Sequence, residues 1–157
     1  MGSEMCIRDS HKATAGNSPV FSYPWLRTRE ALERMRRADV WDACHGLKMR
    51  YTNPATGGHA MTTIGTFVQL LPKGFSTVAY RSTDATVFVP MEGEGRTHIG
   101  DDFMVEWQKR DIFVVPSWKP VRHEAAEESV LFSFSDRPVQ EALHLFREQR
   151  GDKAAQA

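Results

Sequence analysis

Short apolar runs separated by turn residues dominate the chain from residue 62 onward. Val, Ile, Phe and Thr, which strands prefer, make up most of these runs. Turns rich in glycine, proline and aspartate separate the runs at regular spacing, which is typical of an all-β sandwich or barrel. We therefore predict an all-β domain with strands over residues 64–71, 86–91, 96–99, 103–107, 112–115 and 129–134.

Helical patterns lie on both sides of these strands. Thr28 is a suitable N-cap for a helix that runs to about residue 38 with a thin apolar stripe at Leu32 and Met35. Further along, Asp136 can cap a second helix, and Pro138 fits its first turn. We expect both helices to pack outside the barrel, the second through an apolar face made of Val139, Ala142, Leu143 and Phe146.

We assign the barrel and its C-terminal helix to residues 61–150. The rest of the sequence divides into three segments. Residues 1–17 have little to bury and are interpreted as a disordered leader that is not native to the domain. Residues 18–60 are interpreted as a linker arm with a helix. Its aromatic stretch, residues 21–25, is expected to pack on a neighbouring domain or subunit. Residues 151–157 are polar and are expected to fray.

Composition excludes several classes of function. The 20 basic and 20 acidic side chains cancel, so no electrostatic footprint for nucleic acid is present. No apolar run approaches the roughly 20 residues that a membrane-spanning helix needs, so no membrane partner is predicted. Cys6 and Cys44 stand alone without a C-x-x-C motif, which favours a reduced, cytoplasmic protein over a disulfide framework.

Two stretches resemble the metal-binding motifs of cupins, which are double-stranded β-helix (jelly-roll) barrels. Residues 74–93 match the frame of the first motif, with Gly74 and Gly93 as its outer glycines. Residues 111–123 match the second motif, in which Pro116 is one of the anchoring positions. The resemblance implies a cupin barrel with an N-terminal helical arm and a C-terminal helix.

The positions that hold metal ligands in cupins carry no usable ligand set here. The two histidine positions of the first motif hold Tyr80 and Ser82, its glutamate position holds Thr86, and the second motif has Val121 in place of histidine. A non-haem Fe(II) site needs three facial protein ligands, whereas a serine hydroxyl is a poor ligand and valine is none. We therefore predict neither a metal nor a catalytic residue in this domain.

The same frame identifies candidate residues for the barrel interior. Tyr80 and Val121 are expected to fill the volume that a metal and its water would occupy. His123 should face the same side of its strand as position 121, either as a ligand contact or as a core histidine bonded, for example, by the Tyr80 hydroxyl. Trp118 either stacks on an aromatic ligand or closes the barrel mouth. The candidate ligand-binding residues are Tyr80, Ser82, Trp118, Val121 and His123.

Other polar residues receive structural interpretations. His59, in a glycine-rich loop, and His98, on a separate strand, are expected to be exposed to solvent. His144 lies off the apolar stripe of the second helix and is expected to face solvent. The acidic, glycine-rich residues 92–95 lack the Lys and Thr of a phosphate-binding loop and are predicted to form a hairpin turn.

Longer unbroken runs resemble the C-terminal domain of gentisate 1,2-dioxygenase, over roughly residues 18–150. These runs are residues 51–58, 69–75, 80–86, 115–118 and 131–143. Salicylate and 1-hydroxy-2-naphthoate dioxygenases belong to the same group. The resemblance implies a bicupin enzyme that opens an aromatic ring with Fe(II) and O₂ and holds its iron through three histidines of the N-terminal cupin. The chain would then be the second, metal-less cupin.

Three hypotheses for function follow. In the first, the chain is a structural or assembly domain of such an enzyme, with the N-terminal iron cupin and further copies of itself as partners. In the second, it is a stand-alone, metal-free cupin that binds a small molecule in the barrel. In the third, His123 and Tyr80 form an unconventional metal site. A pocket of roughly 300 Å³ or more near Tyr80, Val121 and His123 would favour the second, and a filled barrel the first.

Overall fold

The computed structural model describes residues 22–155. The leader predicted for residues 1–17, residues 18–21 of the predicted arm and residues 156–157 of the predicted tail lie outside the described residues. The helices are α1 (Trp25–Arg36), α2 (Arg137–Ala142) and α3 (Asp152–Ala155). The strands are β1 (Leu47–Arg50), β2 (Gly65–Leu71), β3 (Tyr80–Ser82), β4 (Thr86–Glu92), β5 (Glu94–Ile99), β6 (Phe103–Gln108), β7 (Phe113–Val115), β8 (Val121–Ala125), β9 (Ser129–Ser135) and β10 (Glu148–Arg150). None of these three helices has the length and apolar character needed to cross a bilayer.

The ten strands of residues 22–155 form two antiparallel five-stranded sheets. The first has the order β1-β2-β9-β4-β7, and the second has the order β10-β3-β8-β5-β6. Strands that follow one another along the chain repeatedly change sheet, as β2 and β3, β4 and β5, and β7 and β8 do. This exchange between two sheets is the pattern of a jelly roll. The predicted all-β fold is therefore confirmed, and the six predicted strands are present with end shifts of at most two residues.

The main core lies between the two sheets. Phe88 and Phe113 stack with ring centroids 5.2 Å apart, and Trp107 continues the stack at 6.5 Å from Phe113. Leu131 of the first sheet and Val121 of the second are buried in the same cluster. Inward-facing side chains from both sheets therefore fill the barrel as close-packed protein interiors require.

A second core lies between α1 and the first sheet. Leu32 is fully buried against Leu47, Val68 and Val130. The helix begins at Trp25, so Thr28 is not the predicted N-cap. Instead Thr28 is buried within the helix, and its hydroxyl lies 3.1 Å from the hydroxyl of Tyr51. Strand β1, which anchors this core, falls in a segment where the sequence shows no strand pattern.

The C-terminal part of the barrel domain differs from the predicted long helix. α2 has Asp136 at its N-cap as expected, but it ends at Ala142. Leu143 is 61% exposed, so the predicted continuous apolar face does not form. His144 is exposed, as predicted. The chain turns back after α2 because β10 supplies the edge strand that pairs with β3. The tail expected to fray from residue 151 is helical over Asp152–Ala155.

Residues 92–95 do not form the predicted hairpin. Strands β4 and β5 on either side belong to different sheets, so the segment carries the chain across the barrel. Gly93 adopts a φ of +79°, and a Cβ placed there would lie 2.2 Å from Ser129 Oγ and 2.5 Å from the Glu128 carbonyl oxygen. Gly93 is therefore required for two reasons, its left-handed backbone and its close approach to β9.

Replacement of Gly93 should cost more stability than replacement of Gly74, the other outer glycine of the first motif. Gly74 has a similar φ of +74°, but no atom lies within 4 Å of a Cβ built there. We expect Gly74→Ala to lower the free energy of unfolding by about 1–2 kcal/mol through backbone strain alone. Gly93→Ala should lose about 1–3 kcal/mol more because it also overpacks. Urea unfolding of both variants measures the difference, and equal losses would contradict the close approach.

Candidate functional site

The four vacated ligand positions meet around one small cavity inside the barrel. Tyr80 and Ser82 come from β3, Thr86 begins β4, and Val121 begins β8 opposite Tyr80. All four line the cavity together with His123. Tyr80 and Val121 are each 7% exposed. The cavity volume is about 30 Å³, which is room for about two water molecules.

Tyr80 is held as a neutral phenol. Its hydroxyl donates a hydrogen bond to Glu148 Oε2 at 2.9 Å, and Ser82 bonds to the same hydroxyl. Burial raises the pKa of Tyr80 above its ordinary value, and the Glu148 carboxylate raises it further, although the Ser82 bond acts against them. Formation of a phenolate, the form of tyrosine that binds ferric iron, is therefore opposed here.

His123 is a core histidine whose ring bonds to Thr97 of β5 rather than to the Tyr80 hydroxyl suggested by the sequence. Its Nδ1 lies 2.8 Å from Thr97 Oγ1, which also accepts a hydrogen bond from Trp107 Nε1 at 2.8 Å. The ring stands edge-on to Phe88 at 4.9 Å. Burial, aided by the charge of Lys48, lowers the pKa of His123 to about 3. The imidazole is therefore neutral at physiological pH.

Trp118 does not line the interior cavity. It lies in the turn before β8, with φ +63°, and is 37% exposed. Its backbone N–H donates to the Ser82 carbonyl at 2.7 Å, and the Arg81 guanidinium lies 4.9 Å from the centre of its ring. Four of the five candidate ligand-binding residues therefore share the cavity, and Trp118 is outside it.

Titratable residues outside the five candidates line the same cavity. His45, Lys48, Asp84 and Arg137 all contribute to its wall. His45 packs edge-on against Tyr80 at 4.5 Å, and burial with the nearby Lys48 charge lowers the pKa of His45 to about 2. The sequence offered one signal for the position of Arg137, because this residue directly follows Asp136, the predicted N-cap of the second helix. Lys48 gave no signal, because β1 itself was not predicted.

The remaining histidines lie outside this cavity. His59 is not solvated as expected: its side chain is 11% exposed, and Nε2 lies 3.0 Å from Glu141 Oε2. His98 is half-buried, with Nε2 3.2 Å from Glu124 Oε1. Glu124 also lines a wider open groove of about 700 Å³, which includes Arg96 and Trp107 but none of the motif positions at 80, 82, 86 and 121.

These residues do not fit an iron centre. No group of three or more His, Cys, Asp or Glu side chains within residues 22–155 is arranged to hold a metal ion. The hydroxyl of Tyr80 is engaged by Glu148, and Ser82, Thr86 and Val121 supply no strong ligand beside His123. What the cavity offers chemically is a polar interior with desolvated basic groups, in which Ser133 Oγ and Asp84 Oδ1 have no hydrogen-bond partner. That the domain carries no metal remains a prediction.

Because the pKa of His123 is lowered in the folded protein, the free energy of unfolding should decrease at acidic pH. The free ring in the unfolded chain titrates near 6.5, whereas the folded ring titrates at about 3. Below about pH 6.5 the unfolded state binds the extra proton, so stability falls as pH falls. This residue alone should remove about 2 kcal/mol between pH 7 and pH 5. Urea unfolding at both values should show a smaller loss for His123→Gln.

His144→Gln is the matched control for that measurement, because His144 is exposed. Its loss of stability between pH 7 and pH 5 should equal that of the unmodified chain. An equal loss for His123→Gln would contradict the assignment of a neutral, buried His123. A His123 ring resonance that titrates near pH 6.5 by NMR would also contradict it.

Comparison with known proteins identifies relatives of the whole described fold. No protein-family model matches the chain. Gentisate 1,2 dioxygenase 1 of Aquipseudomonas alcaligenes is 58% identical over 134 residues, which cover 85% of this chain and 38% of that protein. A 5-aminosalicylate 1,2-dioxygenase of a Comamonas species is 35% identical, over 83% of this chain and 35% of that protein.

A solved structure supports the same relationship. Salicylate 1,2-dioxygenase from Pseudoaminobacter salicylatoxidans, described as an adduct with gentisate, superposes with a TM-score of 0.76 at 34% identity. The match covers 83% of this chain and 37% of that one. The cupin fold and the resemblance read from the motifs are thereby confirmed. The chain is therefore a cupin-domain homologue of the gentisate 1,2-dioxygenases, and it spans a little over a third of their length.

Proposed function

We propose that this chain acts as the C-terminal, metal-less cupin of a gentisate 1,2-dioxygenase-like enzyme and has a structural or assembly role. The complete enzyme would open the ring of a hydroxylated aromatic acid with O₂ in the cytoplasm. Fe(II) would be held by an N-terminal cupin, which is the proposed partner. The chain matches relatives of that activity over 38% of the length of the relative with 58% identity.

The filled barrel is the observation that carries this proposal. A site for a drug-sized ligand is roughly 300 Å³ or larger, whereas the cavity between Tyr80, Val121 and His123 is about 30 Å³. An aromatic acid does not fit in that volume. The observation therefore favours the structural role over the alternative of a stand-alone cupin that binds a small molecule in its barrel.

The third hypothesis, an unconventional metal site, is disfavoured by the hydrogen bond of the Tyr80 hydroxyl and by the lack of a ligand at Val121. A metal bound to Nε2 of His123 could leave the Thr97 bond in place, but a metal at Tyr80 would have to displace the hydrogen bond to Glu148, and Val121 offers no third ligand. The raised pKa of Tyr80 adds the cost of deprotonating the phenol.

The aromatic arm supports an assembly role. Tyr23 is tied to its own domain, because its hydroxyl donates to the Thr52 carbonyl at 2.8 Å and its ring packs edge-on against Tyr51. Trp25 and Leu26 are 36% and 71% exposed at the start of α1. Adjacent exposed apolar side chains of this size favour a surface that another domain or another copy covers.

The isolated chain should lack both iron and ring-opening activity. Protein purified with Fe(II) present should contain far less than one equivalent of iron or zinc, measured by atomic emission. It should leave gentisate and salicylate unchanged in an absorbance assay. The reason is the absence of three ligands among Tyr80, Ser82, Thr86 and Val121. Stoichiometric iron that disappears in His123→Gln would overturn the proposal.

A fusion of this chain to an N-terminal cupin tests the same proposal through the appearance of iron binding and activity. A fusion with the N-terminal part of the Aquipseudomonas relative, which is 58% identical over the matched residues, should bind iron and open gentisate. The same N-terminal part without this chain should be less soluble or less active. If the fusion and the N-terminal part alone behave identically, an assembly role for this chain is contradicted.

The chain on its own should self-associate through the arm. Light scattering at increasing protein concentration should give a mass above that of one chain. The double substitution Trp25→Ser with Leu26→Ser should shift it towards the monomer, because it removes the exposed apolar pair. Met61→Ser is a control, since Met61 is 49% exposed outside the arm. A monomer at all concentrations, or an equal effect of Met61→Ser, would contradict the prediction.

A further inference from the structure

Lys48 occupies an unusual position between the barrel interior and solvent. It lines the interior cavity of about 30 Å³ and also an open groove of about 530 Å³. His45, Phe67 and Arg137 line both spaces as well. A small molecule that enters the groove therefore has a direct route to the Lys48 side chain.

The Lys48 ammonium lies against aromatic rings rather than carboxylates. Its Nζ is 5.0 Å from the centre of the Phe67 ring and 6.0 Å from that of Tyr80. Within residues 22–155, Lys48 makes no ion pair or hydrogen bond. A desolvated charge without a hydrogen-bonded partner is costly. An apolar side chain in place of Lys48 would avoid the cost of this desolvated charge.

The desolvation makes part of the amine neutral at ordinary pH. Burial is the main cause that lowers the pKa of Lys48 to about 8, and Arg137 contributes in the same direction. The carboxylates of Asp84, Glu148 and Asp42 oppose it. With this pKa, about a tenth of the Lys48 side chains are neutral at pH 7, which is far more than for an ordinary lysine. A neutral amine is the form that reacts as a nucleophile.

Unpartnered polar atoms around the cavity complement one chemical group in particular. Ser133 Oγ is buried without a hydrogen-bond partner, and so is Asp84 Oδ1. Both residues line the cavity with the Arg137 guanidinium. A carbamate on Lys48 would present oxygens that accept from Ser133 and are neutralised by Arg137, and an N–H that can donate to Asp84. The cavity has room for about two water molecules, and this space is suited to a three-atom reactant such as carbon dioxide.

We propose that Lys48 is a site of reversible carbamylation by carbon dioxide, in a pocket completed by Arg137, Ser133 and Asp84. The neutral amine nitrogen attacks the carbon of CO₂ and forms a C–N bond, while one C=O π pair moves onto oxygen. The nitrogen then loses one proton to water. The products are the lysine carbamate anion and H⁺, so atoms and charge balance and no oxidant is needed. The modification replaces a desolvated cation with an anion beside Arg137.

Carbon-13 NMR of the full chain in ¹³C-bicarbonate tests the proposal. We expect a protein carbamate resonance that strengthens between pH 7 and pH 8.5, as more of the amine becomes neutral. Lys48→Arg should remove that resonance while keeping a positive charge at the position. Lys109→Arg should retain it, because Lys109 is exposed in a turn. Circular dichroism of both variants checks that the barrel is folded.

Chemical trapping gives a second readout that needs no variant. Alkylation of the equilibrated wild-type chain with triethyloxonium converts carbamates into stable ethyl carbamates, which tryptic mass spectrometry can assign to individual lysines. The proposal expects the adduct at Lys48 in excess over Lys73 and Lys109. Adducts only at exposed lysines or at the N-terminal amine, or no adduct at all, would overturn it.

Discussion

The barrel depends on one constraint, which is that side chains from both sheets must fill the space between them. Close packing leaves no room for an unfilled metal site, because a void loses the contacts that its walls would make. Phe88, Phe113 and Trp107 fill one part of the interior as an aromatic stack. Tyr80 and Val121 fill the part where the motif frame places metal ligands. The side chains that stand in place of metal ligands are therefore the same side chains that fill this part of the core.

The filled interior nevertheless contains polar side chains. Thr97 joins Trp107 to His123 by hydrogen bonds, and burial keeps the imidazole beside the stack neutral. On the other side, the charges of Lys48 and Arg137 are offset in part by nearby carboxylates, among them Asp84. The barrel interior thus combines neutral imidazoles with two basic side chains that are partly compensated by carboxylates.

The sequence predicted the parts of the structure that follow local rules. Short apolar runs between turn residues located six strands. Two motif frames, one set by Gly74 and Gly93 and the other anchored by Pro116, identified four positions that do meet at one cavity, namely Tyr80, Ser82, Thr86 and Val121. The errors arose where non-local pairing decides the outcome. Residues 92–95 look like a hairpin turn, but which sheet each neighbouring strand joins is not encoded locally.

The missed site residues have the same origin. Lys48 lies on a strand of four residues that is stabilised by non-local contacts, namely its pairing with β2 and the packing of Leu47 against α1, so its inward position could not be anticipated. The predicted helical stripe through Leu143 is broken, because the chain leaves the helix after Ala142 and pairs with β3 through β10. The partner of His123 was also misassigned, since Thr97 reaches the ring from a strand 26 residues earlier.

Strand β10 has a consequence for the order in which the protein is made. It closes one edge of the second sheet against β3, and Glu148 receives the hydroxyl hydrogen of Tyr80 across that edge. The two partners are separated by 68 residues. While a ribosome is still synthesising residues 148–150, β3 has an unpaired edge and the Tyr80 phenol lacks its acceptor. Completion of this wall of the barrel therefore waits until nearly the whole described chain has left the ribosomal tunnel, and until then a nascent chain exposes an edge that another strand can join.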